Sequence, residues 1–225
     1  MIQARAVIFD IDGTLLLSND AHAQAFVDAA AELGIEANFT RIRRLIGKGG
    51  DKLIREAFGF EKSSKLGKEL DELKGEIFKK RYLPGLQPTP GARALVQRLN
   101  DEGIKLAVAT SGSKEDVVPV LKQSAVEGLI RIRVTADDVA ATKPEPDIIL
   151  AALRKLDCPD HNVLMIGDTP YDVEAAQRAG IRIIGVRCGG WSDTDLHGAA
   201  AVYDDPADVL RHYDETFVHS SGGGI

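Results

Sequence analysis

Two pairs of aspartates each follow a strand-like apolar run of the chain. Asp10 and Asp12 belong to the sequence DIDGT, and Asp168 and Asp172 belong to GDTPYD. Residues two apart in an extended segment point to the same side, so Asp10 and Asp12 are expected to project together from the end of their strand. Carboxylates that close repel each other unless a cation neutralises them or one is protonated. Four hard oxygen ligands at two strand ends therefore indicate a Mg²⁺ site.

Each aspartate pair also has a purely structural interpretation. The first pair fits an acidic turn at the end of a strand, with Gly13 allowing the turn. Asp168 fits a helix cap, since Pro170 would then lie near the first helical position. Capping leaves Asp172 without a role, because one cap is enough for a helix. The residues alone leave both interpretations open.

Two further polar segments lie at or near the ends of strand-like runs. Thr110 and Ser111 end the run KLAVA and offer hydroxyls and backbone N–H groups that can bind an anion. Lys143, in the sequence KPEP, would place a fixed cation beside an acidic, metal-loaded site. Each segment has a local alternative: a helix cap for the first and a solvated lysine in a proline turn for the second.

The elements that must position these residues alternate between strand and helix. The strand-like runs span residues 4–9, 105–109, 130–134, 163–166 and 181–186. They are nearly continuous in apolar or β-branched residues, which is typical of strands covered on both faces of a parallel sheet. Helical patterns with apolar residues at i, i+3, i+4 and i+7 lie between several of them. The pattern predicts an α/β fold with a doubly wound, Rossmann-like parallel sheet.

One interval interrupts this alternation. After the first strand only helical patterns follow, until the proline-rich connector LPGLQPTPG at residues 83–91. We expect residues 1–16 and 86–217 to form the α/β core. Residues 17–85 would then form a small all-helical cap inserted after the first strand, and residues 218–225 a disordered tail.

Composition excludes several classes of function. The 225 residues are 44% hydrophobic and 28% charged, as in globular proteins with a real core, and the net charge is −6. This acidic balance opposes nucleic acid or an anionic membrane as the main partner. The longest apolar run, at residues 148–153, is far shorter than the roughly 20 residues of a membrane span. Cys158 and Cys188 lack a metal-ligand spacing, so we expect free thiols and a cytoplasmic location.

Taken together and in chain order, these motifs resemble those of the haloacid dehalogenase superfamily. Its four motifs match DIDGT at residues 10–14, Thr110, Lys143, and GDTPYD at residues 167–172. A helical insertion between the first and second motifs also resembles the cap of that family. The resemblance covers essentially the whole chain and implies a phosphoryl-transfer enzyme, while saying little about its substrate.

The resemblance also implies a role for each motif residue. Asp10 would attack phosphorus and form an aspartyl-phosphate, and Asp12 would act as general acid and then as general base. Thr110, with Ser111 and Lys143, would hold the phosphoryl oxygens. The ligands of Mg²⁺ would be Asp10, the backbone carbonyl of Asp12, Asp168, and Asp172 either directly or through water.

Within the superfamily, the chain resembles the phosphoglycolate phosphatase and β-phosphoglucomutase branch. The segment LIGKGG resembles the glycine-containing loop of those caps, and its Lys48 could meet the leaving group or a distal anion. His22 follows Asp12 at the spacing at which the mutases carry a histidine that contacts their acid/base aspartate. The alternatives are a solvated lysine in a linker and a histidine packed in the cap.

The resulting hypothesis is a Mg²⁺-dependent phosphatase that acts on a small phosphorylated metabolite. A sugar phosphomutase is the alternative, opposed by Gly50, where those mutases have an arginine, and by Thr14 in place of their usual valine. A non-catalytic interaction protein is a third hypothesis, opposed by the intact motifs. The sequence leaves open whether the protein is a monomer or a dimer.

Overall fold

The strand-like runs assemble into one parallel sheet. In the computed structural model, which describes residues 4–159 and 162–217, the strands are β1 (Ala6–Phe9), β2 (Lys105–Ala109), β3 (Ile132–Val134), β4 (Val163–Gly167), β5 (Arg182–Val186) and β6 (Ala201–Tyr203). Their order across the sheet is β3-β2-β1-β4-β5-β6, and every pairing is parallel. Central strands that are covered on both faces need nearly continuous apolar sequence. Apolar and polar residues therefore do not alternate regularly along these runs. The sheet confirms the predicted α/β fold class.

Helices follow the strands in the order that the apolar spacing predicts. The α-helices of the described residues are α1 (Asn19–Glu32), α2 (Phe39–Leu45), α3 (Gly50–Phe58), α4 (Lys65–Ile77), α5 (Ala92–Asp101), α6 (Lys114–Gln123), α7 (Asp147–Leu156), α8 (Pro170–Arg178), α9 (Pro206–Arg211) and α10 (Tyr213–Thr216). In α5 the residues at i, i+3, i+4 and i+7 are all buried, so its apolar stripe faces the sheet.

The two faces of the sheet are covered by different helices. Val7 and Phe9 of β1 belong to the apolar cluster that includes α5 and α6. Ala6 and Ile8 belong to the cluster that includes α7 and α8. Successive residues of a strand point to opposite faces, so one short strand contributes to both cores. Helices on both faces make the sheet doubly wound, as predicted.

The segment between β1 and α5 is helical. We call residues 17–85 the helical insert; it contains α1 to α4 and no strand. Phe26, Ala29 and Ala30 of α1 are buried, and α1 packs against α2 and α4. The insert therefore has the helical content that the sequence predicts, while its division from residues 1–16 and 86–217 as a separate cap stays a prediction.

Some boundaries differ from the prediction. Strand β6 was missed, because its three residues are only partly buried and pair with β5 alone. The third strand begins at Ile132 rather than at residue 130, and β1 begins at Ala6 rather than at residue 4. The expectation of a disordered tail concerns residues 218–225, which lie outside the described part of the chain.

Among the described residues, none of the helices combines the length and the apolarity needed to cross a bilayer. Cys158 and Cys188 are free thiols, as expected.

Candidate active site

Three carboxylates from distant parts of the chain meet at one edge of the sheet. Asp10 follows β1, Asp168 follows β4, and Asp172 lies in the first turn of α8. Parallel strands end at the same edge, and β1 pairs directly with β4, so these segments converge. Oxygen atoms of the three carboxylates lie within 4.8 Å of one another, and all three side chains are buried.

A single lysine lies among these carboxylates. Lys143 is 1% exposed, and its Nζ is 2.5 Å from Asp10 Oδ1 and 2.7 Å from Asp172 Oδ1. Burial by itself would lower the pKa of Lys143, but the two adjacent carboxylates raise it above its ordinary value. The solvated-lysine alternative is therefore wrong, because Lys143 is buried and the adjacent carboxylates favour its charged form.

The carboxylate cluster holds more negative charge than Lys143 can neutralise. Burial raises the pKa of Asp10 to about 7, with the negative charges of Asp172 and Asp12 adding to the shift and Lys143 opposing it. Burial, and then Asp10 and Asp172, also raise the pKa of Asp168 well above its ordinary value. Three carboxylates beside one ammonium leave an excess of negative charge, which a divalent cation would balance. Their hard oxygen donors fit Mg²⁺.

Asp172 contacts both Lys143 and the end of its own helix. Its Oδ2 accepts hydrogen bonds from Thr169 N (3.0 Å) and Thr169 Oγ1 (2.7 Å). Thr169 is the N-cap of α8 and accepts in turn from the Asp172 N–H, which completes a capping box. The cap of α8 is therefore Thr169, and the capping interpretation of Asp168 is wrong. Oδ1 of Asp172, the oxygen beside Lys143, is the one left for a metal.

Asp12 points away from this cluster toward the helical insert. Its Oδ1 accepts a hydrogen bond from Ser18 Oγ (2.6 Å) and lies 2.9 Å from His22 Nε2. His22 Nδ1 is 2.9 Å from Lys74 Nζ, and the imidazole stacks on Phe78 with centroids 3.8 Å apart. An ammonium only donates, so we assign the imidazole proton to Nε2, where it can be donated to Asp12.

These contacts hold Asp12 in its ionised form. Burial would raise the pKa of the carboxyl, but His22 and Ser18 bring it down to about 2. Burial and the ammonium of Lys74 lower the pKa of His22, while Asp12 opposes that shift. His22 is packed within the insert, against Phe78, as the structural alternative predicts, and it also contacts Asp12.

Thr110 and Ser111 lie beside Asp10 at the end of β2. Thr110 is 3% exposed, and its Oγ1 accepts a hydrogen bond from Gly112 N (3.1 Å). Ser111 Oγ donates to the carbonyl oxygen of Gly47 (3.2 Å), which joins this edge of the sheet to the insert. Both hydroxyls border the same cavity as Asp10.

A cavity of about 460 Å³ lies between the sheet edge and the helical insert. Asp10, Asp12 and Thr110 line it from one side, and His22 and Lys48 line it from the other. Asp168, Asp172 and Lys143 lie beneath its floor, fully buried. The structure thus brings every predicted site residue to one cavity or to the cluster beneath it.

Lys48 faces the cavity while bound to a partner of its own. Its Nζ is 2.7 Å from both carboxylate oxygens of Glu56 and 4.9 Å from the ring centroid of Tyr171. A ligand that uses Lys48 must share it with Glu56. The solvated-lysine alternative is wrong here too, because the side chain is only 15% exposed.

The glycines of LIGKGG let the loop approach the sheet edge closely. Gly47 has a φ of +106°, and a Cβ there would come within 2.7 Å of the Thr169 side chain. A Cβ at Gly49 would overlap the Thr142 side chain, directly before Lys143. The loop therefore rests on the two segments that carry Lys143 and Asp172, and larger residues would push it away.

Four residues with no role predicted from the sequence also contact the site. Thr14 Oγ1 and Asn19 Nδ2 donate to Asp168 (3.0 and 2.8 Å), Ser18 donates to Asp12, and Lys74 contacts His22. Ser18 has the position of a helix N-cap, yet its hydroxyl makes no capping bond. Lys74 lies on the charged helix α4, where no spacing distinguishes it from its neighbours.

Known proteins resemble this chain over most of its length. The model of the family described as haloacid dehalogenase-like hydrolase matches residues 7–186. The phosphoglycolate phosphatase of Yersinia pestis is 30% identical over 213 residues, which cover 93% of this chain and 90% of that protein.

Solved structures of other proteins have a similar fold over most of this chain. A hydrolase from Pseudomonas syringae has a TM-score of 0.87 at 33% identity, covering 94% of this chain and 99% of that one. The structure of CbbY from Rhodobacter sphaeroides in complex with phosphate has a TM-score of 0.78 at 27% identity, covering 92% of this chain and 96% of that one.

Proposed function

Because the chain belongs to the family of haloacid dehalogenase-like hydrolases, we propose that it is a Mg²⁺-dependent phosphatase that forms a phosphorylated Asp10. It is a hydrolase that acts on phosphate esters. The position of Asp10 supports its phosphorylation, because its carboxylate borders the cavity and is also part of the buried acidic cluster. No other carboxylate of that cluster borders the cavity.

Asp10 acts as the nucleophile. Its carboxylate oxygen attacks phosphorus as the bond from phosphorus to the ester oxygen breaks, which leaves an acyl phosphate on Asp10. Lys143 holds Asp10 in place and offsets the repulsion between the carboxylate and the phosphate. Thr110 and Ser111, with the N–H groups of their turn, bind the phosphoryl oxygens.

Asp12 moves the protons of both steps. It protonates the departing ester oxygen and then removes a proton from the water that hydrolyses the acyl phosphate, which releases inorganic phosphate. Because the pKa of Asp12 is about 2, its carboxyl is ionised near neutral pH, which is the basic form that the second step needs. The first step needs the protonated form, so the contact between His22 and Asp12 must loosen when substrate enters.

The residues that would hold Mg²⁺ are Asp10, Asp168, the backbone carbonyl of Asp12, and Asp172 directly or through water. The ion supplies positive charge that offsets the anionic phosphoryl group and the excess charge of the cluster. Asp172 shares its available oxygen with Lys143, so it also fixes the position of that ammonium.

The leaving group would face the helical insert. His22 and Lys48 border that side of the cavity, and we propose residues 17–85 as the cap that closes over a small phosphorylated metabolite. Phosphoglycolate, the compound named in the Yersinia pestis relative, is one candidate. The cytoplasmic location expected from the cysteines stays a prediction.

A sugar phosphomutase is the second candidate. The observation that favours it is the contact between His22 and Asp12, which the mutase resemblance anticipates. Gly50 opposes it, since that position has no side chain to bind a second phosphate and the neighbouring Lys62 is paired with Asp71 (2.7 Å).

The test of the function is phosphate release from a panel of small phosphomonoesters, including phosphoglycolate and β-glucose 1-phosphate. We expect Mg²⁺-dependent release that EDTA abolishes and added Mg²⁺ restores. Isomerised sugar phosphate without released phosphate would identify the mutase instead. Turnover that survives EDTA would contradict the metal requirement, and silence on the whole panel would contradict catalysis.

The acidic cluster also predicts how Mg²⁺ binding depends on pH. Without metal, the folded protein keeps a proton on Asp10 between about pH 4, the ordinary aspartate value, and about pH 7. The folded state binds more protons than the unfolded state in this window, so stability without metal should fall as pH rises through it. Mg²⁺ needs ionised carboxylates and displaces those protons. The rise in Tm caused by Mg²⁺ should therefore be larger at pH 8 than at pH 5.5.

Thermal unfolding with and without Mg²⁺ at several pH values measures this difference. Asp10→Asn is the matched variant, and its Tm without metal should depend less on pH between 5 and 7. An equal Mg²⁺-induced shift at pH 5.5 and pH 8 would contradict the cause assigned here.

A further inference from the structure

Asn19 is a buried amide at the point where the helical insert joins the site. It is the first residue of α1 and is 4% exposed. Its Nδ2 donates to Asp168 Oδ2 at 2.8 Å and lies 3.2 Å from the carbonyl oxygen of Gly189. Two acceptors on the same side fix the orientation of the amide, because the reversed orientation would set Oδ1 against two oxygens.

The other polar atom of the Asn19 side chain lowers the stability of the fold. The Oδ1 atom of Asn19 is buried and has no hydrogen-bond partner among the described residues. A buried polar atom left without a partner destabilises a fold, and an apolar residue would avoid that cost. A reason for an amide at this position must therefore come from what its Nδ2 contacts.

Asp168 receives one neutral donor on each carboxylate oxygen. Thr14 Oγ1 donates to Oδ1, and Asn19 Nδ2 donates to Oδ2. Gly13 and Gly189 close in around the same carboxylate, since a Cβ at either position would overlap it. Neutral donors orient a carboxylate without cancelling its charge, so Asp168 stays available to a cation.

We propose that Asn19 is a positioning residue that fixes Asp168 for Mg²⁺ and ties the start of the helical insert to the metal site. The inference rests on the proposed function, because it concerns the same Mg²⁺ site. Hydrogen bonds of this kind to metal ligands are worth about 10- to 100-fold in metal affinity. Asn19 therefore sets the Mg²⁺ affinity of this enzyme rather than contacting its substrate.

The test is Mg²⁺ affinity measured by calorimetry and by activity as a function of Mg²⁺ concentration. In Asn19→Ala we expect the Kd for Mg²⁺ to rise about 10- to 100-fold. The kcat at saturating Mg²⁺ should approach that of the wild type, since no reacting group is changed. General damage to the fold would lower kcat at every Mg²⁺ concentration instead.

Gln24→Ala provides the matched control on the same helix. Gln24 donates to Asp28 (2.9 Å), also on α1, and its hydrogen bond lies outside the acidic cluster. The Kd of the Gln24→Ala protein for Mg²⁺ should therefore equal that of the wild type. Asn19→Leu is a second variant, which removes the same donor while keeping the volume of the side chain and leaving no unpartnered polar atom. It should weaken Mg²⁺ binding by a similar factor even if Asn19→Ala does not fold.

The possible outcomes separate this inference from the proposed function. A wild-type protein that binds no Mg²⁺, or binds it equally well as Asp168→Ala, would overturn the metal site and hence the proposed function. Wild-type binding that is lost in Asp168→Ala but unchanged in Asn19→Ala would overturn the inference alone. If Asn19→Ala does not fold, unchanged binding in Asn19→Leu overturns it.

Discussion

Asp10→Asn should lower kcat by at least about 10⁴-fold, because loss of a nucleophile removes the covalent route altogether. An amide oxygen is a poor nucleophile, and the substitution is otherwise nearly isosteric. Phosphate release under saturating Mg²⁺ and substrate measures the effect. Trapping a phosphorylated chain in the wild type, and failing to trap one in the variant, would identify the attacked residue directly.

The fold of Asp10→Asn should survive. The substitution removes one of three buried carboxylates, and Lys143 keeps Asp172 as its partner. The metal-free Tm at pH 8 should therefore equal or exceed that of the wild type. Asp101→Asn, at an exposed position, is the control and should keep full activity. Retention of more than about a hundredth of the activity in Asp10→Asn would eliminate Asp10 as the nucleophile.

Lys143→Met should impair both stability and turnover. The side chain is 1% exposed and its ammonium contacts two buried carboxylates. Removing one partner from a buried ionic cluster costs about 3–5 kcal/mol, because the remaining charges lose their compensation. Turnover should fall by at least about 100-fold even where the protein stays folded, since the positive charge beside Asp10 is gone.

The loss of stability in Lys143→Met should depend on pH. Without Lys143, which lowers the pKa of Asp10, that carboxyl binds a proton more readily, and its protonation at pH 5.5 relieves more of the repulsion among the carboxylates than at pH 8. Denaturant unfolding of metal-free protein at both pH values measures the difference. Lys122→Met, which replaces an exposed lysine of α6, is the matched control. A Lys143→Met protein as stable as this control at pH 8 would refute the compensating role of Lys143.

Tertiary contacts change the meaning of several residues that the sequence singled out. Asp10 and Asp12 are two positions apart, yet Asp10 joins the buried cluster while Asp12 turns toward Ser18 and His22. The alternation of an extended chain predicts a common direction for the pair, and both residues border the cavity from the same side. Their different partners come from distant parts of the chain, which the alternation does not specify.

The sequence could not reveal Asn19 as a contact of Asp168. The two residues are 149 positions apart, and an asparagine at a helix start is ordinary. Their contact depends on the pairing of β1 with β4 and on where α1 begins after the turn. Likewise, β6 is three residues long and lies at the edge of the sheet, where its residues are only partly buried. Its sequence therefore lacks the long apolar run that identifies a buried strand.

The sequence by itself determined the class of this protein: a doubly wound parallel sheet with its carboxylates, hydroxyls and lysine at one edge. It could do so because parallel strands buried on both faces need continuous apolar runs, and because their carboxyl ends share an edge in any strand order. Only the tertiary structure decided which carboxylates share a cluster, which residues hold them, and what encloses the cavity. Those contacts join segments far apart in the chain, so they depend on packing that no local pattern encodes.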